Sequence, residues 1–307
     1  MIGAPIAAWL LLRRASAVGQ LRAPLITALR VAPSVKRRLQ KLVWKVVYGI
    51  ASRGIGDPGT AFMNYGYASL EESHGIGTTR GGQPDTFGIQ LYNRVASGSD
   101  LRGKDVLEVG CGRGGGTAFV FDRHGPRSMM GLDLARSAIA RCRRQYERPG
   151  LTFVRGDAEA LPFADARFDV VLNVESSHCY PDVPRFLYEV HRVLRPEGFL
   201  LLADVRSTTL RERSGDTLMP RSDIPQFLSQ LRDSPFTVIE QEDITANVLR
   251  ALQLDSPRRR RLIENRVPAA LQPHALAFSA VEGTPLYESY ATGELTYLRL
   301  VLQKASY

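Results

Sequence analysis

Cysteine is scarce: three in 307 residues, Cys111, Cys142 and Cys179. An odd count without metal-ligand spacing argues against a disulfide framework and for a reducing compartment. Long apolar runs are missing too. The longest spans about ten residues, against the ~20 that cross a bilayer, so no transmembrane segment is expected. The chain has no internal repeat, no low-complexity tail and no Asp/His ligand cluster, so no metal is expected. Acid is absent from residues 1–56, which hold ten Lys and Arg. Because the whole chain carries +9, the part beyond residue 56 has a net charge of −1. A near-neutral body offers no argument for nucleic-acid binding, and none is expected.

The acid-free segment is also apolar, with Leu42-Val43-Trp44 and Val46-Val47-Tyr48 set among its bases. Arg13-Arg14 follow an apolar stretch rather than precede it, which argues against a secretory signal. Three readings of this basic amphipathic extension stand side by side. It lies on an anionic membrane surface, it caps the core, or it is an organelle-targeting segment. A cytoplasmic location is expected, with peripheral membrane contact under the first reading.

The most informative stretch is residues 106–116, Val-Leu-Glu-Val-Gly-Cys-Gly-Arg-Gly-Gly-Gly. Its first four residues suit a buried strand. Gly110, Gly112 and Gly114 permit a tight turn with positive φ and close approach of the backbone to a ligand. Seventeen residues beyond Gly116 comes Asp133, in Gly-Leu-Asp-Leu, an acid able to accept both hydroxyls of a ribose. Strand, glycine turn, helix, strand and acid is how a Rossmann-type sheet holds a nucleoside. The glycines alone leave a dinucleotide site open. Two neighbours weigh against it. Glu108 would repel a pyrophosphate but suits the amino group of a methionine moiety. Asp157 and Ala158, after a third strand, can serve an adenine ring.

Here the chain resembles the class I S-adenosylmethionine-dependent methyltransferases, with E-x-G-x-G, the ribose acid and Gly156-Asp157-Ala158-Glu159-Ala160-Leu161-Pro162-Phe163 in order. The resemblance implies S-adenosylmethionine as cofactor, held by Glu108, Gly110, Cys111, Gly112, Gly114, Asp133, Leu134, Asp157, Ala158 and Asn173. It implies a Rossmann-like α/β fold: a seven-stranded methyltransferase sheet with helices on both faces. An N-terminal helical extension (1–56) and a helical insertion near the C-terminus (within 245–293) accompany a catalytic domain spanning 57–307. Helices are expected at 86–96, 117–124, 135–146, 183–194, 224–231 and 245–266, and an antiparallel last strand at 294–303. The run Arg258-Arg259-Arg260-Arg261 is expected on a solvated helix face. Segments 57–95 and 245–293 are expected to cover the acceptor, with Tyr65, Tyr67 and Tyr92 as substrate-binding residues.

Methyl transfer from a sulfonium needs alignment and exclusion of water. An alcohol acceptor also benefits from a base, worth ~10²–10⁴-fold. His178, in Glu175-Ser176-Ser177-His178-Cys179-Tyr180-Pro181, is the candidate base, and Asp204 would orient it. From Phe62 onward the chain looks like one subfamily, the phthiotriol and phenolphthiotriol dimycocerosate O-methyltransferases and related polyketide methyltransferases. The carriers are Asn64-Tyr65-Gly66-Tyr67, Leu91-Tyr92-Asn93-Arg94, residues 170–181, Gly283-Thr284-Pro285-Leu286 and Gly293-Glu294-Leu295-Thr296-Tyr297. That resemblance implies O-methylation of a hydroxyl on a long apolar lipid or polyketide. The alternatives are a C- or N-methyltransferase of the same fold, or a non-methylating cyclase or scaffold that keeps the cofactor site.

Overall fold

A computed structural model describes residues 61–71, 85–208 and 223–305. The expected 1–56 extension lies outside the described residues, as do 57–60 and 72–84 of the expected 57–95 cover. The elements run α1 (Thr86–Ala96), β1 (Asp105–Val109), α2 (Gly115–His124), β2 (Ser128–Asp133), α3 (Arg136–Tyr146), β3 (Leu151–Arg155) and β4 (Phe168–Val174). After a short 3-10 turn (Ser177–Cys179) come α4 (Val183–Val193), β5 (Leu194–Ser207), α5 (Ile224–Arg232) and β6 (Phe236–Asp243). Then follow α6 (Thr245–Arg266), a second 3-10 turn (Ala269–Leu271), α7 (Gln272–Phe278), α8 (Pro285–Ala291) and β7 (Leu295–Lys304).

The seven strands form one sheet in the order β3-β2-β1-β4-β5-β7-β6. β1 pairs parallel with β2 and β4, and β7 pairs antiparallel with β5 and β6. The parallel strands read as unbroken apolar runs because both faces are buried. Val106 joins Met129, Val170 and Leu201 in one core, with side chains from α1, α2, α3, α6 and α8. Its neighbour Leu107 joins Val171, Leu200 and Leu202 in the other, with α4 and α5. The least covered strand is β6 at the sheet edge, where Val238 is 43% and Ile239 50% exposed. A bulge between Val238 and Glu240 disturbs its pairing, a device that discourages edge-to-edge association.

Two features position the site. First, β7 runs antiparallel, so its start lies at the carboxyl end of β5, with Tyr297 opposite Val205. Second, the insertion α6–α8 holds the segment 61–71. Asn247 Nδ2 donates to Ala68 O at 2.9 Å, and the Ala68 amide donates to Asn247 O at 3.1 Å. The Tyr65 ring meets Tyr290 edge-on, 5.8 Å between centroids. The arginine run departs from its expected solvated face. Arg258 and Arg259 both turn onto Asp255, and Arg259 also donates to Tyr65 O (3.1 Å) and Ser279 O (2.9 Å). Only Arg260 and Arg261 of the four are exposed. The pull of a buried acid and two backbone carbonyls on planar donors outweighs solvation here.

Candidate active site

A cleft opens at the carboxyl ends of β1 to β4. This is where open α/β sheets take their ligands. Its floor is the turn after β1. Gly110, Gly112 and Gly114 have φ of +83°, +52° and +80°. A Cβ on Gly110 would lie 2.3 Å from Ser176 Oγ, so only glycine lets the post-β4 loop close against the turn. The Gly110 and Cys111 amides donate to Leu132 O at 2.7 and 3.0 Å. Asp133 completes the turn, accepting from the Gly112 amide at 3.0 Å and the Ala135 amide at 2.8 Å.

Gly110, Cys111, Gly112, Asp133, Leu134, Asp157 and Ala158 all line the cleft. Gly114 stands behind it as the N-cap of α2. Glu108 and Asn173 depart from their expected places. Glu108 lies in β1, fully buried behind the wall. The Tyr92 hydroxyl donates to it at 2.6 Å and Thr117 Oγ1 at 2.5 Å. Burial, with Asp133 nearby, pushes its carboxyl up to about 7 against the pull of those two hydroxyls. Asn173 is buried in β4, where its Nδ2 reaches Val109 O (3.0 Å), Ser176 Oγ (2.8 Å) and Tyr180 Oη (3.1 Å). It ties the post-β4 wall to the end of β1.

The three tyrosines expected at the acceptor separate. Tyr92 is on the cleft, but beside the glycine turn and engaged with Glu108. Tyr65 and Tyr67 are off the wall, and the lining from that segment is Ala61, Phe62, Met63 and Asn64. Position in the chain says which segment crosses the cleft, not which side chains of it turn inward.

His178 and Asp204 meet as expected, with His178 Nδ1 2.7 Å from Asp204 Oδ1. Asp204 also accepts from Ser177 Oγ (2.6 Å), the His178 amide (2.7 Å) and the Val205 amide (2.8 Å). Arg206 Nη1 stands 3.2 Å away. Burial alone would raise the Asp204 carboxyl, but His178 and Arg206 outweigh it and hold it well below the usual carboxylate range. Burial likewise opposes charge on His178, yet the Cys179 sulfur and Asp204 push the imidazole well above its ordinary value. Neither residue lines the cleft. His178 Nδ1 is taken up by Asp204, and the pair sits behind the cleft wall rather than on it.

The residue that sequence reasoning passed over is Glu175. It lines the cleft beside Val174 and Ser176, with a left-handed φ of +52°. Its Oε2 accepts from the Tyr65 amide and from Tyr297 Oη, both at 2.9 Å. Its neighbourhood assembles from three distant stretches of chain, so no local spacing signals it.

The cleft fits S-adenosylmethionine. Above Gly112 the nearest atom a Cβ would meet is Met63 Sδ at 3.6 Å, which leaves the turn open to a ligand. Asn64 Oδ1, on the wall, is buried with no hydrogen-bond partner among the described residues, an acceptor suited to an ammonium or a hydroxyl. Among the described residues no group of three His, Cys, Asp or Glu is disposed to hold a metal ion.

Comparison with known proteins gives the family. Residues 107–202 match the family described as a methyltransferase domain. A phthiotriol/phenolphthiotriol dimycocerosates methyltransferase of Mycobacterium tuberculosis is 40% identical over 257 residues, covering 84% of this chain and 90% of its own. A fatty-acid O-methyltransferase of Mycolicibacterium smegmatis is 39% identical over 243 residues, covering 79% of this chain and 84% of its own. Among solved structures, geranyl diphosphate methyltransferase in complex with SAM superposes with a TM-score of 0.60. It is 15% identical and covers 80% of this chain and 99% of that one, a likeness of fold. The chain belongs to the phthiotriol/phenolphthiotriol dimycocerosates methyltransferase family and is an S-adenosylmethionine-dependent methyltransferase.

Proposed function

We propose that this enzyme transfers the methyl group of S-adenosylmethionine to a hydroxyl oxygen of a long, apolar lipid or polyketide acceptor. The observation that carries the reading is a half-buried carboxylate, Glu175, on the cleft wall, in a protein whose relatives are named for lipid substrates. Amine acceptors need no base, whereas an alcohol does. An N-methyltransferase, or a scaffold that keeps the cofactor, leaves that carboxylate without a task, and the product separates O- from C-transfer.

Within this reading Asp133 takes the ribose hydroxyls, and Asp157 with the Ala158 amide takes the adenine. The backbone at Gly110, Cys111 and Gly112 lies against the methionine portion, with Leu134 beside the nucleoside. Glu108, Asn173 and Gly114 shape that floor from behind. The His178–Asp204 pair is a buried charged fixture that holds the post-β4 turn. Tyr65 acts through its amide and its packing on Tyr290 rather than by lining the acceptor path. Residues 57–307 form the catalytic unit, and residues 1–56, basic and amphipathic, give it peripheral contact with an anionic membrane. Among the described residues no helix is long and apolar enough to cross a membrane.

The test is methyl transfer from labelled S-adenosylmethionine into a total lipid and polyketide extract of a host lacking this gene. Label in an apolar, amine-free product that survives mild alkaline hydrolysis but is released as methyl iodide by hot hydriodic acid supports an ether, hence a hydroxyl acceptor. Label released by that treatment marks a methyl ester and counts against it. Measurable cofactor binding without any transfer favours the cyclase or scaffold.

A further inference from the structure

We infer that Glu175 is the residue that takes the proton from the acceptor hydroxyl. The inference rests on the hydroxyl-acceptor reading above, and names the residue that reading requires.

The order of residues along the sheet locates the reacting end of the cleft. Asp157 and Ala158 follow β3, Asp133 ends β2 and the glycine turn follows β1. With the nucleoside over β3 and β2, the sulfonium end falls over β1 and β4. Four carboxylate residues line the cleft: Asp133, Asp157, Glu159 and Glu175. The first two serve the nucleoside, and Glu159 Oε1 is committed to the Asp182 amide at 2.9 Å. Glu175, directly after β4, is the one at the reacting end.

Its own geometry suits the task. A positive φ is a conformation that side-chain-bearing residues rarely adopt, and it persists only where the surroundings impose it. Here they do so from three sides: the Tyr65 amide from the covering segment, Tyr297 Oη from β7 and the end of β4 beneath. Both hydrogen bonds fall on Oε2, and Oε1 takes neither. No Lys or Arg among the described residues forms an ion pair with it, so this half-buried carboxylate is not tied up by a cation.

The charged and titratable groups around it come from every packed element. They are His178 on the 3-10 turn, Asp204 on β5, Tyr297 on β7, Tyr92 on α1 and Tyr65 on the covering segment. Burial raises the Glu175 carboxyl, and Asp204 adds to it. The Tyr65 amide, His178 and Tyr297 pull it down, and the outcome is about 7. A base poised near the working pH combines a useful ionised fraction with useful basicity.

The bound sulfonium supplies an already activated methyl group. The oxygen–carbon bond forms as the carbon–sulfur bond breaks, and that electron pair stays on sulfur as a neutral thioether. The hydroxyl proton passes to Glu175 Oε1 and reaches solvent after the product leaves.

The experiment compares the full-length wild type with Glu175→Gln and Glu175→Asp on the hydroxyl acceptor isolated from the labelled extract. Single-turnover rate against pH, cofactor affinity by calorimetry, and melting temperature are recorded. The wild-type rate is expected to rise with pH through an inflection near 7. Glu175→Gln is expected to lose ~10²–10⁴-fold and to lose the inflection, with cofactor affinity within about twofold. A folded Glu175→Gln with the wild-type rate, or with the inflection intact, overturns the inference. Should Glu175→Gln fail to fold, infrared titration of Glu175→Asp decides. A protonated-carboxyl band titrating in the wild type must shift in frequency and midpoint, and an unchanged band and rate profile overturn the inference. A wild type that methylates only carboxylic acids, which have no proton to give at neutral pH, overturns the hydroxyl reading and this one with it. A wild type that methylates the hydroxyl while Glu175→Gln matches it overturns this one alone.

Discussion

Tyr92, in the helix before β1, donates its hydroxyl at 2.6 Å to Glu108 in the strand itself, and both are buried. Gly116 makes this possible, because a Cβ there would lie 2.0 Å from the Tyr92 ring. The pair braces the floor of the cleft. Tyr92→Phe leaves a buried carboxylate with one donor instead of two. A loss of about 1–3 kcal/mol in urea unfolding is expected, with weaker cofactor binding. Unchanged stability would mean that the bond is not formed in solution.

The same carboxylate gives stability a pH dependence of definite sign. Glu108 is pushed up to about 7 in the folded chain from its ordinary value of 4.5. Between those values the folded chain binds more protons than the unfolded one, so stability falls as pH rises through the window. Glu175 acts in the same direction. Glu108→Gln should flatten the slope of unfolding free energy against pH over that range. An unchanged slope would contradict the burial argument.

Gly110→Ala and Gly103→Ala make a controlled pair. Both positions have positive φ, +83° and +70°. Nothing lies within 4 Å of a Cβ at Gly103, whereas Ser176 Oγ lies 2.3 Å from one at Gly110. The Gly103 variant should lose only the backbone cost, about 1–2 kcal/mol. The Gly110 variant should lose more and bind cofactor poorly, because the post-β4 loop must move. Melting temperature and calorimetry on both decide it.

Arg259 joins Asp255, Ser279 O and Tyr65 O, and so fastens the covering segment to α6. Arg259→Lys keeps the charge but loses the planar fork. Faster hydrogen exchange at the Tyr65 amide is expected, with a raised KM for acceptor and little change in cofactor affinity. Wild-type exchange at that amide in the variant would show the fastening to be dispensable.

Much of the sheet is legible in the sequence, because buried parallel strands are continuous apolar runs and glycine turns carry local constraints. The strand at 106–109, the helices at 86–96, 183–194 and 245–266 and the last strand at 294–303 fall within a few residues of where the sequence puts them. The glycine-turn side of the cleft is legible for the same reason: Gly110, Gly112, Asp133 and Asp157 follow or end strands that topology brings together. The acceptor side is not. Tyr65 and Tyr67 turn away from the cleft, and Glu175 owes its setting to Tyr65 and Tyr297, which stand 110 and 122 residues from it. Arg258 and Arg259 look like surface charge until Asp255 is seen one helical turn away and buried.

The measurement that goes most directly to the proposed chemistry is carbon NMR of the product formed from S-adenosylmethionine labelled with ¹³C in its methyl group. A resonance in the methoxy ether region, correlated to a carbon of the apolar chain that bore a hydroxyl, is the expected result. A methyl ester, N-methyl or C-methyl resonance would contradict hydroxyl methylation.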